Sequence, residues 1–197
     1  MKNKIYRNFF TIRILIVLSL LFTAAFSEES AEELFNTALK YQKSGQLDQA
    51  EQYYKASLKL KSDVDAMYNL GILYEDKNNY TEAEKYFKMA YDAGLSKAAY
   101  KLGYVYSKLN KKDLSERYYL QSVTKDNNID AMYNLAVLYN SSSKKNDAIK
   151  YFKMAADKGD IDAAYNLGLL YDDAGNFDSA EYYYKKAAVV NNSNINA

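Results

Sequence analysis

The sequence predicts an all-α protein built as a solenoid of five helical hairpins, and three observations lead there. A decapeptide, DAMYNLGILY at 65–74, returns as DAMYNLAVLY at 130–139 and as DAAYNLGLLY at 162–171. Aligned on its closing residue, the chain places Tyr41, Tyr74, Tyr106, Tyr139 and Tyr171 in one column, spaced 33, 32, 33 and 32 residues apart. Within each period the apolar residues recur at helical intervals, as in Met67, Leu70, Gly71 and Tyr74 and then Tyr80, Ala83, Phe87 and Ala90. A unit of this size cannot bury its apolar face alone, so neighbouring units must cover one another.

The first segment is a leader rather than a repeat. Lys2, Lys4, Arg7 and Arg13 precede ILIVLSLLFTAAF, an uncharged run, and Ala25 and Ser27 supply small residues before Glu28. Residues 1–27 therefore read as a signal peptide, with the mature chain starting at Glu28. The alternative is an uncleaved N-terminal anchor from Phe9 to Phe26, the one route by which this chain would touch a membrane. Either reading makes the protein exported, to the periplasm or cell envelope or secreted beyond it.

Residues 28–192 form the repeat domain, with repeats at about 31–63, 64–95, 96–128, 129–160 and 161–192. Each first helix ends at the column tyrosine. Polar stretches such as EDKNN at 75–79, SSSKKN at 141–146 and DDAGN at 172–176 then turn the chain. Each second helix carries a small residue (Ala50, Ala83, Ser115, Ala148, Ala180) and then an aromatic (Tyr54, Phe87, Tyr119, Phe152, Tyr184). A second small residue follows (Ser57, Ala90, Ser122, Ala155, Ala187). Small residues belong where helix axes cross closely. Gly94 and Gly159 fall where a second helix ends and a left-handed residue is needed. The last helix is expected from Asp178 to Val190, with a disordered tail at 193–197. Tyr183, Val189 and Val190 would remain uncovered there, an apolar end that invites end-to-end self-association.

These columns resemble the tetratricopeptide repeat, and AADKGDIDAAYNLG at 155–168 is similar to the related Sel1 repeat. The resemblance covers essentially all of the chain after the leader. It implies a right-handed α-α superhelical solenoid that acts by binding peptides or partner proteins in a concave groove. Two departures stand out: the chain has no proline, and its period falls short of the family's about 34 residues. The expected twist is accordingly left open.

The groove is expected on the first helices. Phe35, Tyr68, Tyr100, Tyr133 and Tyr165 give one aromatic per repeat, beside Asn36, Asn69, Lys101, Asn134 and Asn166, with Lys97 adding a second cation in the third repeat. Tyrosine brings contact area with a hydroxyl, and asparagine brings donor and acceptor for a peptide backbone. The bland reading of the same residues is inter-repeat packing and locally bonded amides. The resemblance also implies comparison with a carboxylate clamp of cytosolic relatives: Asn69, Lys97 and Lys101 occupy three of its positions, whereas Phe35 and Leu39 stand where its first lysine and asparagine belong.

Composition narrows the chemistry. With no histidine and no cysteine, triads, zinc fingers and thiol redox motifs are excluded. No cofactor and no metal site is expected. Removing the leader's basic residues leaves an acidic excess, which disfavours nucleic acid. Acids at Asp157, Asp160, Asp162, Asp172 and Asp173 fall at turns and helix starts, where they suit the helix dipole better than catalysis. The leading expectation is a non-catalytic protein or peptide interaction scaffold. A glycan-binding or cell-wall accessory module is the alternative, because aromatic faces beside amides also suit sugars.

Overall fold

The structure, a computed structural model, describes residues 29–195. The leader and its cleavage point lie outside the described residues. Ten helices pair as five antiparallel hairpins: α1 (Ala31–Lys43) with α2 (Leu47–Leu60), α3 (Val64–Asp76) with α4 (Tyr80–Asp92) and α5 (Ala98–Lys108) with α6 (Lys112–Asp126). They continue as α7 (Ile129–Ser141) with α8 (Lys145–Asp157) and α9 (Ile161–Asp173) with α10 (Phe177–Ile195). This is the all-α helical-repeat solenoid class. The described residues divide into two compact units, one ending at Ser62 and holding the first hairpin, the other beginning at Asp63 and holding four.

One turn is written five times. Gly45, Asn78, Asn110, Ser143 and Gly175 each stand four residues after the column tyrosine, and all have positive φ, between 56° and 75°. In every copy the amide one residue further on donates to the tyrosine carbonyl, as in Asn79 N to Tyr74 O at 2.8 Å and Lys111 N to Tyr106 O at 2.9 Å. This six-to-one bond with a left-handed residue inside it is the Schellman ending. It stops the first helix in a tight turn without proline. Gly94 and Gly159, at φ 100° and 96°, end α4 and α8 the same way, as the sequence predicts.

Starts are equally local. Ser30 and Glu33 form a capping box on α1, while Asp63, Asn128 and Asp160 accept from the amides of Ala66, Ala131 and Ala163 at 2.9, 2.7 and 2.7 Å. Helix α10 runs to Ile195, past the Val190 expected, since NNSNI contains neither glycine nor proline to end it.

Two aromatic contacts clamp each hairpin. The column tyrosine of the first helix stacks on a tyrosine of the second: Tyr41 on Tyr53, Tyr74 on Tyr86, Tyr106 on Tyr118, Tyr139 on Tyr151 and Tyr171 on Tyr183. Their centroids lie 5.3–5.7 Å apart. The second aromatic of the same helix lies across the small residue three before the column tyrosine. A Cβ placed on Gly71 would sit 2.6 Å from the Phe87 ring, and Gly103 and Gly168 meet Tyr119 and Tyr184 as closely. Phe87 is fully buried and has nowhere to swing. Ala38 and Ala136 hold the same column in the first and fourth hairpins, both fully buried. Ser115 adds a bond across its crossing, its Oγ donating to the Gly103 carbonyl at 2.8 Å.

In the second unit one apolar core runs without interruption from Tyr119 on α6 to Ala187 on α10. Tyr183, expected to be uncovered, is buried in it, because its ring stacks on Tyr171.

The close crossings predict that Gly71→Leu and Ala83→Leu each lower stability by about 1–3 kcal/mol through overpacking. Thermal melting of the two variants against the parent chain measures it.

Candidate functional site

The exposed part of each first helix in the second unit is a narrow strip. On α3 it carries Asp65 and Asp76 with half-buried Asn69 and Ile72; on α5 and its N-cap, Lys97 and Lys108 with half-buried Lys101 and Tyr104. On α7 it carries Asp130, Asn134 and Val137; on α9, Asp162, Asn166, Leu169 and Asp173. The strip is continuous because consecutive first helices are tied to one another. Lys101 Nζ reaches Glu75 Oε1 at 2.9 Å, and Asn134 Nδ2 donates to the Tyr100 hydroxyl at 3.5 Å.

The aromatic ladder packs within hairpins. Phe35 rests on Tyr54, Tyr68 on Phe87, Tyr100 on Tyr119, Tyr133 on Phe152 and Tyr165 on Tyr184, with centroids 5.5–6.2 Å apart. Each therefore packs against the second helix of its own hairpin. Tyr68, Tyr100 and Tyr133 are half-buried, and burial is the main cause raising all three hydroxyl pKa values; Tyr100 is pushed up to about 12, with Asp130 and Glu75 adding to the effect. Tyr165, on the last hairpin, is 52% exposed. Phe35 is half-buried and Asn36 exposed on α1 of the first unit.

The amides and lysines divide likewise. Asn69 and Asn166 donate to the carbonyls of Asp65 and Asp162 on their own helices, at 2.9 and 2.8 Å. This is the local bonding expected of helical asparagine. In the cationic spot of the third repeat one lysine is paired with a carboxylate and two lie over rings. Lys101 already meets Glu75, Lys97 lies over the Tyr68 ring at 4.5 Å, and Lys108 lies over Tyr104 at 5.1 Å. A clamp needs unpaired donors, so its likeness ends at the residue names.

One line was not singled out in the sequence. Ile72, Tyr104, Val137 and Leu169, two residues before the column tyrosine, are apolar in every hairpin of the second unit and lie on the open strip. Val137 and Leu169 are each 40% exposed. The signal was available: these positions lie three residues after the amide or lysine, hence on the same helical face.

A second recurring device joins hairpins away from the strip. The Tyr106 hydroxyl donates to Glu84 at 3.1 Å and Tyr139 to Glu116 at 2.9 Å, and Lys111 and Lys144 reach the same carboxylates at 2.9 and 3.5 Å. Burial and the neighbouring glutamate together raise both tyrosine pKa values.

Family models agree with this architecture. The tetratricopeptide repeat matches at 35–96, 96–128 and 161–194, and the Sel1 repeat matches at 129–160. The chain belongs to the tetratricopeptide repeat family, with a Sel1-like fourth repeat. No curated protein sequence matches it. Among solved structures it resembles a crystal structure of MamA at 25% identity and a TM-score of 0.72, over 81% of this chain and 97% of that one. It also resembles YrrB, described as a TPR protein with an unusual peptide-binding site, at 28% identity and a TM-score of 0.67, over 86% and 91%. Pseudomonas aeruginosa PilF shares the fold at 19% identity and a TM-score of 0.70, over 80% and 74%.

Two of the five acids Asp157, Asp160, Asp162, Asp172 and Asp173 have structural partners in this repeat protein. Asp160 caps α9, and Asp157 is held between Lys153 and Lys186 at 2.7 and 2.8 Å, whose hydrogen bonds lower its pKa. Asp162, Asp172 and Asp173 are exposed. Among the described residues no acidic group is arranged to hold a metal, and no helix is long and apolar enough to cross a membrane.

The raised tyrosine pKa values set an alkaline limit. A hydroxyl that ionises near pH 10 in the unfolded chain but higher in the fold contributes stability present below about pH 10 and lost as pH rises further. For Tyr54 and Tyr100 that loss runs through about 12. Melting temperature is expected to fall across this window, less steeply in Tyr54→Phe and Tyr100→Phe; pH-dependent circular dichroism with tyrosinate absorbance checks it.

Proposed function

We propose that this chain is an exported, non-catalytic scaffold that binds an extended segment of a partner protein along the first-helix strip of its second unit. The observation that carries the reading is the line Ile72, Tyr104, Val137 and Leu169, exposed or half-buried beside a line of half-buried amides and charges. An extended segment has both needs: side chains that seek apolar contact and a backbone that seeks hydrogen bonds. The likeness to YrrB, a protein with a peptide-binding site, supports the same mode of action. Binding through Ile72, Tyr104, Val137 and Leu169 replaces the aromatic ladder as the expected point of contact, because Tyr68, Tyr100 and Tyr133 are occupied within the chain. Tyr165 remains open to a ligand.

Val137→Glu with Leu169→Glu is expected to abolish partner capture from an envelope fraction while leaving helicity and melting unchanged. Lys150→Glu, on the exposed side of α8, is the control. The same proteins captured by both would overturn the assignment. Export rests on the leader. When the chain is expressed in full in a bacterial host, mass spectrometry of the processed form is expected to show Glu28 as the first residue; an intact Met1 in the soluble cytosolic fraction contradicts it.

A further inference from the structure

We infer that the α9–α10 end of the chain docks the α1–α2 end of a second copy, head to tail, in the register that joins hairpins inside the second unit. That register is defined by equivalent positions. Two junctions set an amide or lysine of one first helix against the tyrosine or glutamate of the hairpin before it, Lys101 on Glu75 and Asn134 on Tyr100. The register also sets the column tyrosine on a glutamate of the preceding second helix in the two junctions at Tyr106 and Tyr139. It buries the residue four after the second aromatic as well: Val123 and Ala156 are 9% and 1% exposed.

On the last hairpin the same positions stand open. Tyr165 is the counterpart of Tyr100, Glu181 of Glu84 and Glu116, and Ala188 of Val123 and Ala156; all three are exposed. Glu181 is held only by Lys185 of its own helix. Ile161, Asp162, Tyr165, Tyr184, Ala187 and Ala188 line an open hollow of about 480 Å³ there. Val189 is 68% exposed beside it. An unfilled seat of this kind is fitted by whatever carries the opposite face of a hairpin.

The first hairpin carries that face. Asn36 stands in the position of Asn134, which bonds Tyr100, and Tyr41 in that of Tyr106 and Tyr139, which donate to the glutamates. One pair has changed to suit. Asp157 and Lys186 form an ion pair at 2.8 Å in the last internal junction. The equivalents that would meet between copies are Val189 and Ala56, so a charged pair is replaced by an apolar one. A second copy thus offers hydroxyl for carboxylate, amide for hydroxyl and methyl for methyl. Such a contact is heterologous, and it adds copies in series rather than closing a two-fold dimer.

The test uses the full chain in sedimentation velocity over a range of concentrations. A ladder of masses growing with concentration is expected. Ala188→Arg and Ala56→Arg, each blocking one end, should be monomeric alone, and their equimolar mixture should form one dimer and nothing larger, through the two unblocked ends. Circular dichroism establishes that each is folded, and Val189→Glu replaces Ala188→Arg if it is not. A wild-type chain that stays monomeric overturns the inference. So does an assembly that stops at a dimer and persists in Ala56→Arg, the mark of tail-to-tail pairing, or a mixture that yields no dimer. The Val137→Glu, Leu169→Glu variant is expected to assemble as wild type, which separates this result from the fate of the strip.

Discussion

The structure depends on one close approach, repeated in each hairpin: a small residue on the first helix with an aromatic ring of the second laid directly upon it. At Gly71, Gly103 and Gly168 there is no room for even a Cβ beneath Phe87, Tyr119 and Tyr184. This draws the two helix axes together and lets the column tyrosine stack on the neighbouring tyrosine of the second helix. Both contacts are needed for a flat hairpin with two apolar faces. Dispersion between the rings and burial of their large surfaces hold it together.

From that hairpin the rest follows by addition. The Schellman turns at Asn78, Asn110 and Ser143 bring the chain back at once, so almost nothing is spent on loops. Between hairpins of the second unit the tyrosine hydroxyls find glutamates, and burial of those hydroxyls makes ionisation unfavourable. Tyrosine is therefore structural material here before it is recognition material. Its abundance, 22 residues, is accounted for largely by the two clamps and the ladder of each repeat.

Stacking within the second unit leaves a strip of amides, scattered charges and one apolar residue per repeat on the first helices, and on the last hairpin a hollow that no described residue fills. The distinction between the two matters physically. The strip is narrow and mixed in character, suited to a chain that lies along it. The seat is broad and shaped like an internal junction, suited to another hairpin.

The sequence by itself determined the repeat, the helical halves, the left-handed turns at Gly94 and Gly159 and the absence of histidine and thiol chemistry. These are local matters of period, backbone preference and residue type, which one chain declares without reference to its neighbours. It also pointed to the first helices as the expected binding side. Only the tertiary structure decided which residues on that side are free. Tyr68, Tyr100 and Tyr133 look like an aromatic ladder in one dimension, but each lies against the ring of its second helix; Lys97 and Lys101 look like a cationic spot, but Tyr68 and Glu75 take them up. Whether a side chain is available depends on what folds against it from about thirty residues away, and no pattern within a single helix carries that information.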